Sequence, residues 1–249
     1  MKAYKSKLLL TALAYAAALA ILMYVMTYSA VIGIIGILVL GLSVRTPIEK
    51  IRESELESVI FDELDPEKFN ELLSLGVFKK SKRHQVLAAV SLGEHDKALE
   101  MIGNKGEKKQ HPVEICNDLY RKGYIHFERG EFDKLPAVVK EYNELKKKFP
   151  QFVTVFENFS VFDKFDAFAD EDYEYVIDVC DIDLKELDLK KQNAKVTKVN
   201  VSFYRAVSLY KLGRFEEAKK GFEDIISFAP KMNKAKLSKE YIELIDSGK

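Results

Sequence analysis

Four histidines, two cysteines and one glycine-bearing turn are the residues whose types could do chemistry. His84, His95, His111 and His126 are separated by 11, 16 and 15 residues. Two imidazoles reach one ion from a single helix only at spacings of about three or four residues, and neither HExxH nor CxxC occurs. Metal binding and histidine general-base chemistry are therefore not expected. Cys116 and Cys180 are lone thiols and read as small buried hydrophobes. Gly103-Asn104-Lys105-Gly106 lacks a preceding strand and the Walker spacing, so it reads as a simple turn, not a phosphate cradle. No catalytic residue, metal or cofactor is expected.

Two rows of like residues offer binding instead. Phe152, Phe156, Phe159, Phe162, Phe165 and Phe168 recur at steps of four and three, which keeps them near one helix face. Such a row is a core stripe, or else a groove for a partner's apolar side chains. Overlapping it, residues 157–188 hold twelve acids against Lys164 and Lys185. Asp170, Glu171, Asp172, Glu174 and Asp178 lie at the centre of this run. It is either a solvated face or a docking flank for a basic partner, since a single-sign patch steers association. Basic clusters at Lys79-Lys80-Ser81-Lys82-Arg83-His84, at Lys146-Lys147-Lys148 and at Lys190, Lys191, Lys195 and Lys198 could meet lipid headgroups or simply be solvated helix ends.

The elements that position these rows begin with the charge distribution. Lys plus Arg total 39, as do Asp plus Glu, yet no charged residue falls between Lys7 and Arg45. The body has no basic excess, which argues against a nucleic-acid partner. A helix covering all of 8–44 would be about 55 Å long, and a hydrocarbon core is about 30 Å thick. Two spans, about 8–26 and 31–44, with a turn near Thr27-Tyr28-Ser29-Ala30, fit better. Lys2, Lys5 and Lys7 before the run, and Arg45, Lys50 and Arg52 after it, put both ends in the cytoplasm by the positive-inside rule. Ala12, Ala16 and Ala20 could face Gly33, Gly36 and Gly41 across the pair. A single tilted span with the body outside, and a signal peptide cleaved after Ala20, are the rival readings.

The body reads as helix after helix. Thr46-Pro47-Ile48-Glu49 and Asp65-Pro66-Glu67 are helix starts, and Leu75-Gly76 ends the second of these helices. Three stretches share one plan, namely an amphipathic helix, a Gly, a charged residue, an aromatic or His, and a second helix. They centre on Gly93 with His95, Gly130 with Phe132, and Gly213 with Phe215. A degenerate unit fits between the last two, turning near Ala169-Asp170-Glu171. Residues 233–247 then cap the stack.

This plan resembles the tetratricopeptide repeat (TPR). The best unit places Ala206, Leu209, Gly213, Phe215, Ala218, Phe222 and Pro230 at that family's spacings, with Ser202 and Arg205 where its early Trp and Leu stand. In the second unit Gly123 takes the small position. The resemblance covers roughly residues 79–231; joined to the charge and hydropathy pattern, it gives an all-α chain in three parts: a two-helix transmembrane hairpin over 1–44, connecting helices over 45–78 and an irregular TPR-like helical-hairpin solenoid over 79–249. It also implies a concave groove for a protein partner, lined by Asn117, Tyr120, Tyr124 and Phe127 in the second unit and by Asn200, Phe203, Val207 and Tyr210 in the fourth. Lys80, Arg83 and Leu87 are the equivalents in the first. These aromatics could equally pack against neighbouring helices. The expected function is a non-catalytic interaction scaffold at the cell membrane, with N-terminus and body cytoplasmic. An accessory subunit held in a membrane complex through the hairpin is the alternative.

Overall fold

The computed structural model describes residues 2–75, 81–103, 111–152, 161–191 and 193–248. Among them every regular element is helical and no strand occurs. Gly76, the start of the basic run at Lys79 and Lys80, residues 104–106 of the glycine-bearing turn, Phe156 and Phe159 lie outside the described residues.

Helix α1 (Lys2–Met26) turns over at Thr27–Ser29 into α2 (Ala30–Phe61). Leu9–Met26 has a mean hydropathy of 2.2 and no buried residue; it is long and apolar enough to cross a membrane, while Ala30–Leu40 is a shorter apolar stretch. The two helices touch, with Met26 over Gly33 and Leu22 over Gly36. Thr11, Tyr15, Ala18, Leu22 and Val25 form the half-buried side of α1, whereas Ala12, Ala16 and Ala20 are exposed. The alanine row thus does not meet the glycines as expected. A missing Cβ leaves a notch that a large side chain fills and an alanine would not.

Helix α2 runs through Thr46 and Pro47, where a new helix was expected to start, and ends at Phe61. An internal proline forfeits one hydrogen bond and crowds the preceding turn. Here the helix is anchored on the far side, because Leu56, Val59 and Ile60 are buried in the body's core. Helix α3 (Pro66–Ser74) starts as its sequence predicts, with Asp65 accepting the Lys68 N–H at 3.1 Å.

Four antiparallel pairs follow. They are α4 (Lys82–Leu92) with α5 (His95–Gly103), α6 (Pro112–Glu128) with α7 (Leu135–Lys148), α8 (Val161–Ala169) with α9 (Tyr173–Glu186), and α10 (Ala194–Lys211) with α11 (Phe215–Phe228). All four turns are built alike. Gly93, Gly130, Glu171 and Gly213 have φ of 78°, 69°, 60° and 74°. In each, the N–H of this residue bonds three residues back and the next N–H five back, as in Glu94 to Ala89, Glu131 to His126, Asp172 to Ala167 and Arg214 to Leu209. That double bond pattern is the Schellman closure of a helix end. Two residues beyond each turn stands a ring: His95, Phe132, Tyr173 and Phe215. Tyr173 packs edge-on against Phe168 at 5.0 Å, and Phe215 lies 5.6 Å from Tyr210.

Repeat units normally touch only their neighbours, but here the ends of the array meet. Helix α2 contacts α10, Lys195 donates to the Asp62 carbonyl at 2.8 Å, and Lys231 pairs with Asp65. Helix α12 (Asn233–Asp246) packs on α10 and α11, as a cap would. Its first turn, however, lies against Gly93, where any side chain would collide with Asn233. These contacts bring the first and last helices of the body together around a pocket that stays partly open, with Arg83, Asn193 and Thr197 exposed on its rim.

At Gly123 on α6, an added Cβ would clash with the Phe165 ring of α8. Alanine is favoured over glycine in a helix by about 1 kcal/mol. Overpacking of this kind costs about 1–3 kcal/mol, and Phe165 is fully buried. Gly123→Ala is therefore expected to lower the thermal midpoint despite its better propensity. A raised midpoint would show that α6 and α8 are not in this contact.

Candidate functional site

This pocket, a cavity of about 480 Å³, is walled by α2, α4, α6, α8, α9 and α10. Asn117, Tyr120 and Tyr124 reach it from α6 at helical spacing, and Asn200 and Tyr204 from α10. Tyr124 donates its hydroxyl proton to Asn200 Oδ1 at 3.0 Å, and Asn200 Nδ2 donates to the Tyr120 hydroxyl at 3.4 Å. Two helices about 80 residues apart in sequence are thereby tied across the cavity. Burial pushes the Tyr120 phenol up to about 12 and that of Tyr204 well above its usual value. Both are therefore neutral hydroxyls at physiological pH. The Tyr204 hydroxyl is buried and makes no hydrogen bond among the described residues, which is costly unless something else supplies a partner.

Lys164, Asp183 and Arg121 also line this space, and each has an ion-pair partner. Lys164, 3% exposed, holds Asp183 at 2.8 Å, and Arg121 holds Asp118 at 3.2 Å. Lys164 sits inside the phenylalanine stripe, between Phe162 and Phe165. Its sequence neighbourhood hides the role, because a lysine among acids reads as a solvated charge. Tyr204 was equally missed, although it stands one helical turn beyond Asn200.

The eight expected groove residues divide. Asn117, Tyr120, Tyr124 and Asn200 converge on the cavity. Phe127, Phe203 and Val207 lie in the core. Phe127 is ringed by Phe132, Phe165, Phe168, Phe203 and Tyr204 at centroid distances of 4.6–6.4 Å. Tyr210 is half-buried against Tyr241 at 5.1 Å, away from the cavity. The division follows from packing between adjacent helices, since Phe127 is covered from α8 and α10 and Phe203 by Phe222 and Tyr241 at 6.1 Å.

Directly behind Tyr124 lies a buried ionic cluster. Lys234, 1% exposed, donates to the Tyr124 hydroxyl and to Glu128 Oε1, the latter at 2.6 Å. His95 Nε2 lies 2.8 Å from Glu128 Oε2, which also accepts from Asn233 at 2.9 Å. Burial pushes Glu128 up, against the hydrogen bond from His95, and pushes Lys234 well down. The cluster joins α5, α6 and α12 and meets α10 through Asn200. The order Lys234, Tyr124, Asn200, Tyr120 makes each group the donor to the next.

The other notable groups have structural duties. His126 pairs with Glu131 at 2.7 Å, and His111 accepts the Val113 N–H at 3.3 Å. Both cysteines are buried, which pushes their thiols up to about 12. Asp170, Glu171, Asp172, Glu174 and Asp178 are all exposed on one turn and the start of α9. Two of them have local roles: Asp172 accepts the Tyr175 N–H at 3.2 Å, and Glu174 lies 3.6 Å from Arg214. A wider depression of about 730 Å³ between α9, α10 and α11 mixes apolar residues such as Leu184 and Leu187 with Ser202, Asp224 and Ser227, and Lys198 sits over its Phe228 ring at 4.3 Å. It gathers no buried polar group without a partner, so the smaller cavity is the better site. Compared with protein-family models, curated proteins and solved structures, the chain matches none.

Proposed function

We propose that this is a membrane-anchored, non-catalytic TPR-like binding protein. In this reading α1 and the apolar part of α2 form a two-pass anchor, with N-terminus and body on the cytoplasmic side. Lysines before the run and Arg45, Lys50 and Arg52 after it support that orientation. Tyr24 and Tyr28 pair at 3.0 Å beside the connecting turn, a placement that suits the far headgroup region. The apolar part of α2, 30–44, is only about 22 Å long, so the bilayer would thin around it. The body then engages a protein partner at the inner surface, raising its local concentration there.

The observation that carries this reading is the convergence of Asn117, Tyr120, Tyr124, Asn200 and Tyr204 on one cavity. A partner's side chain could fill it and accept from Tyr204. The exposed acids of the α8–α9 turn offer a long-range attraction for a basic partner. Among the described residues that line the cavity no nucleophile is paired with a base, and the reading is accordingly one of binding and not turnover.

Gentle detergent extraction with cross-linking tests this. Asn117→Ala and Tyr120→Phe, which keeps the packed ring, are expected to reduce recovery of a specific partner several-fold while helicity is kept and stability falls by no more than about 1 kcal/mol. Unaltered recovery in both would remove the cavity from the hypothesis. The exposed row Ala12, Ala16 and Ala20 supports the second reading, an accessory subunit recognised through α1. Ala16→Leu alters that row and leaves Gly33 and Gly36 in place. Loss of recovery in Ala16→Leu alone would favour this second reading.

A further inference from the structure

Helix α4 opens with an arrangement that its capping does not explain. Ser81 caps the helix by accepting the His84 N–H at 3.2 Å, and the same oxygen lies 2.8 Å from His84 Nδ1. A serine oxygen has two lone pairs and can accept from both. When Ser81 accepts from Nδ1, as in the tautomer that ligation through Nε2 requires, the lone pair of Nε2 faces away from Ser81. The ring is held edge-on against Phe69 at 6.2 Å and is 5% exposed. Its Nε2 is buried and has no hydrogen-bond partner among the described residues. Such a nitrogen is costly unless another group meets it.

Two carboxylates face it. Glu53 and Glu57 stand one turn apart on α2, with Oε1 atoms 3.7 and 3.8 Å from His84 Nε2. Those distances are too long for hydrogen bonds. One donor atom from each of the three residues lies within 4.8 Å of the other two. Ligands about 2.0–2.1 Å from a tetrahedral zinc ion stand roughly 3.3–3.5 Å apart. Glu53 is half-exposed, so its side chain can move in to close the difference. Glu57 Oε1 also accepts from Arg83 at 3.0 Å. A carboxylate has two oxygens, and Arg83 is largely exposed and can shift to the second.

We infer that Glu53, Glu57 and His84 form a binding site for a divalent transition-metal ion of the zinc type, joining α2 to the first helix of the array. One imidazole nitrogen and two carboxylate oxygens are a borderline-to-hard donor set that suits Zn²⁺. Ser81 is the outer partner that fixes the imidazole tautomer, as ligating histidines require. Water completes the coordination on the side of Glu53. The ion ties a helix with an apolar N-terminal half to the wall of the cavity, since Arg83 and Leu87 of α4 line that wall.

The test uses the full chain in detergent, stripped with chelator and dialysed against ZnCl₂, with metal content and calorimetry as readouts. One equivalent of Zn²⁺ is expected, with a rise in thermal midpoint, and Mg²⁺ should give neither. Losing an outer-shell partner costs about 10–100-fold in metal affinity, so Glu53→Gln, which loses a ligand, should weaken binding at least about tenfold. His84→Gln should abolish it. Glu53 is exposed enough that Glu53→Gln keeps the metal-free melting point, which separates loss of ligand from loss of fold. The site is overturned if wild type takes up no stoichiometric Zn²⁺. It is equally overturned if Glu53→Gln and His84→Gln bind as wild type does, which would place the ion at His111 or His126.

Discussion

Replacing Lys234 with alanine is expected to destabilise the body by about 3–5 kcal/mol, the usual cost of stranding one partner of a buried ion pair. Lys234 and Glu128 are both closed to solvent and 2.6 Å apart. With the lysine gone, Glu128 keeps His95 and Asn233 as hydrogen-bond partners, but its Oε1 loses the group that met it at 2.6 Å. Tyr124 loses its donor as well. Glu128→Gln should cost a similar amount, because it strands the ammonium. The pair itself is not expected to be worth that sum. Replacing both ions by groups of similar shape is often near neutral, so Lys234→Met with Glu128→Gln should recover much of the loss. Denaturation of all four forms gives a double-mutant cycle with a large coupling energy. Single variants that each stay within about 0.5 kcal/mol of wild type would mean an exposed pair, as surface ion pairs are worth little.

Phe127→Ala is expected to cost about 3–5 kcal/mol, the range for a large ring deleted from a packed core. Five aromatic rings contact it, and they come from the α6–α7 turn, α8 and α10. Collapse around the void would have to move three elements at once, so little relaxation is available. Asn117→Ala, on the cavity wall, should cost under about 1 kcal/mol because it removes no packed ring. Urea melts of the two variants separate core from wall. Similar small losses in both would place Phe127 on an accessible surface after all.

Much of the architecture is legible in short stretches of sequence, because a helix end is a local event. Gly93, Gly130 and Gly213 mark three of the four turns, since a left-handed residue is cheapest as glycine. Glu171 takes the same conformation without that marker, and only its place between two amphipathic segments gives it away. Asp65 signals its cap through the Pro66 beside it. Pro47 carries the same local signal and is overruled, because burial of Leu56, Val59 and Ile60 extends α2 through it.

The site was half legible for a different reason. Periodicity places Asn117, Tyr120 and Tyr124 on one face of α6, but it does not say what covers that face. The meeting of the ends depends on contacts such as Asp65 with Lys231 and Glu128 with Lys234. These residues are more than 100 positions apart and of types that usually face water. A buried lysine has no local mark. Its burial is decided by the last helix, whose first turn lies over Gly93 and Glu128. Glu53 and Glu57 do stand at helical spacing on α2, but His84 comes from α4, and no local pattern links it to them.

The continuity of α2 has a mechanical consequence. From Ala30 to Phe61 the backbone is one helix, apolar at its start and packed into the core at its end, with no slack joint between. The body is therefore keyed to the apolar helix in rotational phase as well as in height. Each residue inserted between Val44 and Glu49 would turn the body about 100° around the α2 axis and raise it about 1.5 Å. Two insertions would point the cavity and the acidic turn almost opposite to their native bearing, whereas seven would nearly restore it. The length of this segment acts as an indexing dial, and which side the body shows to its surroundings is set there.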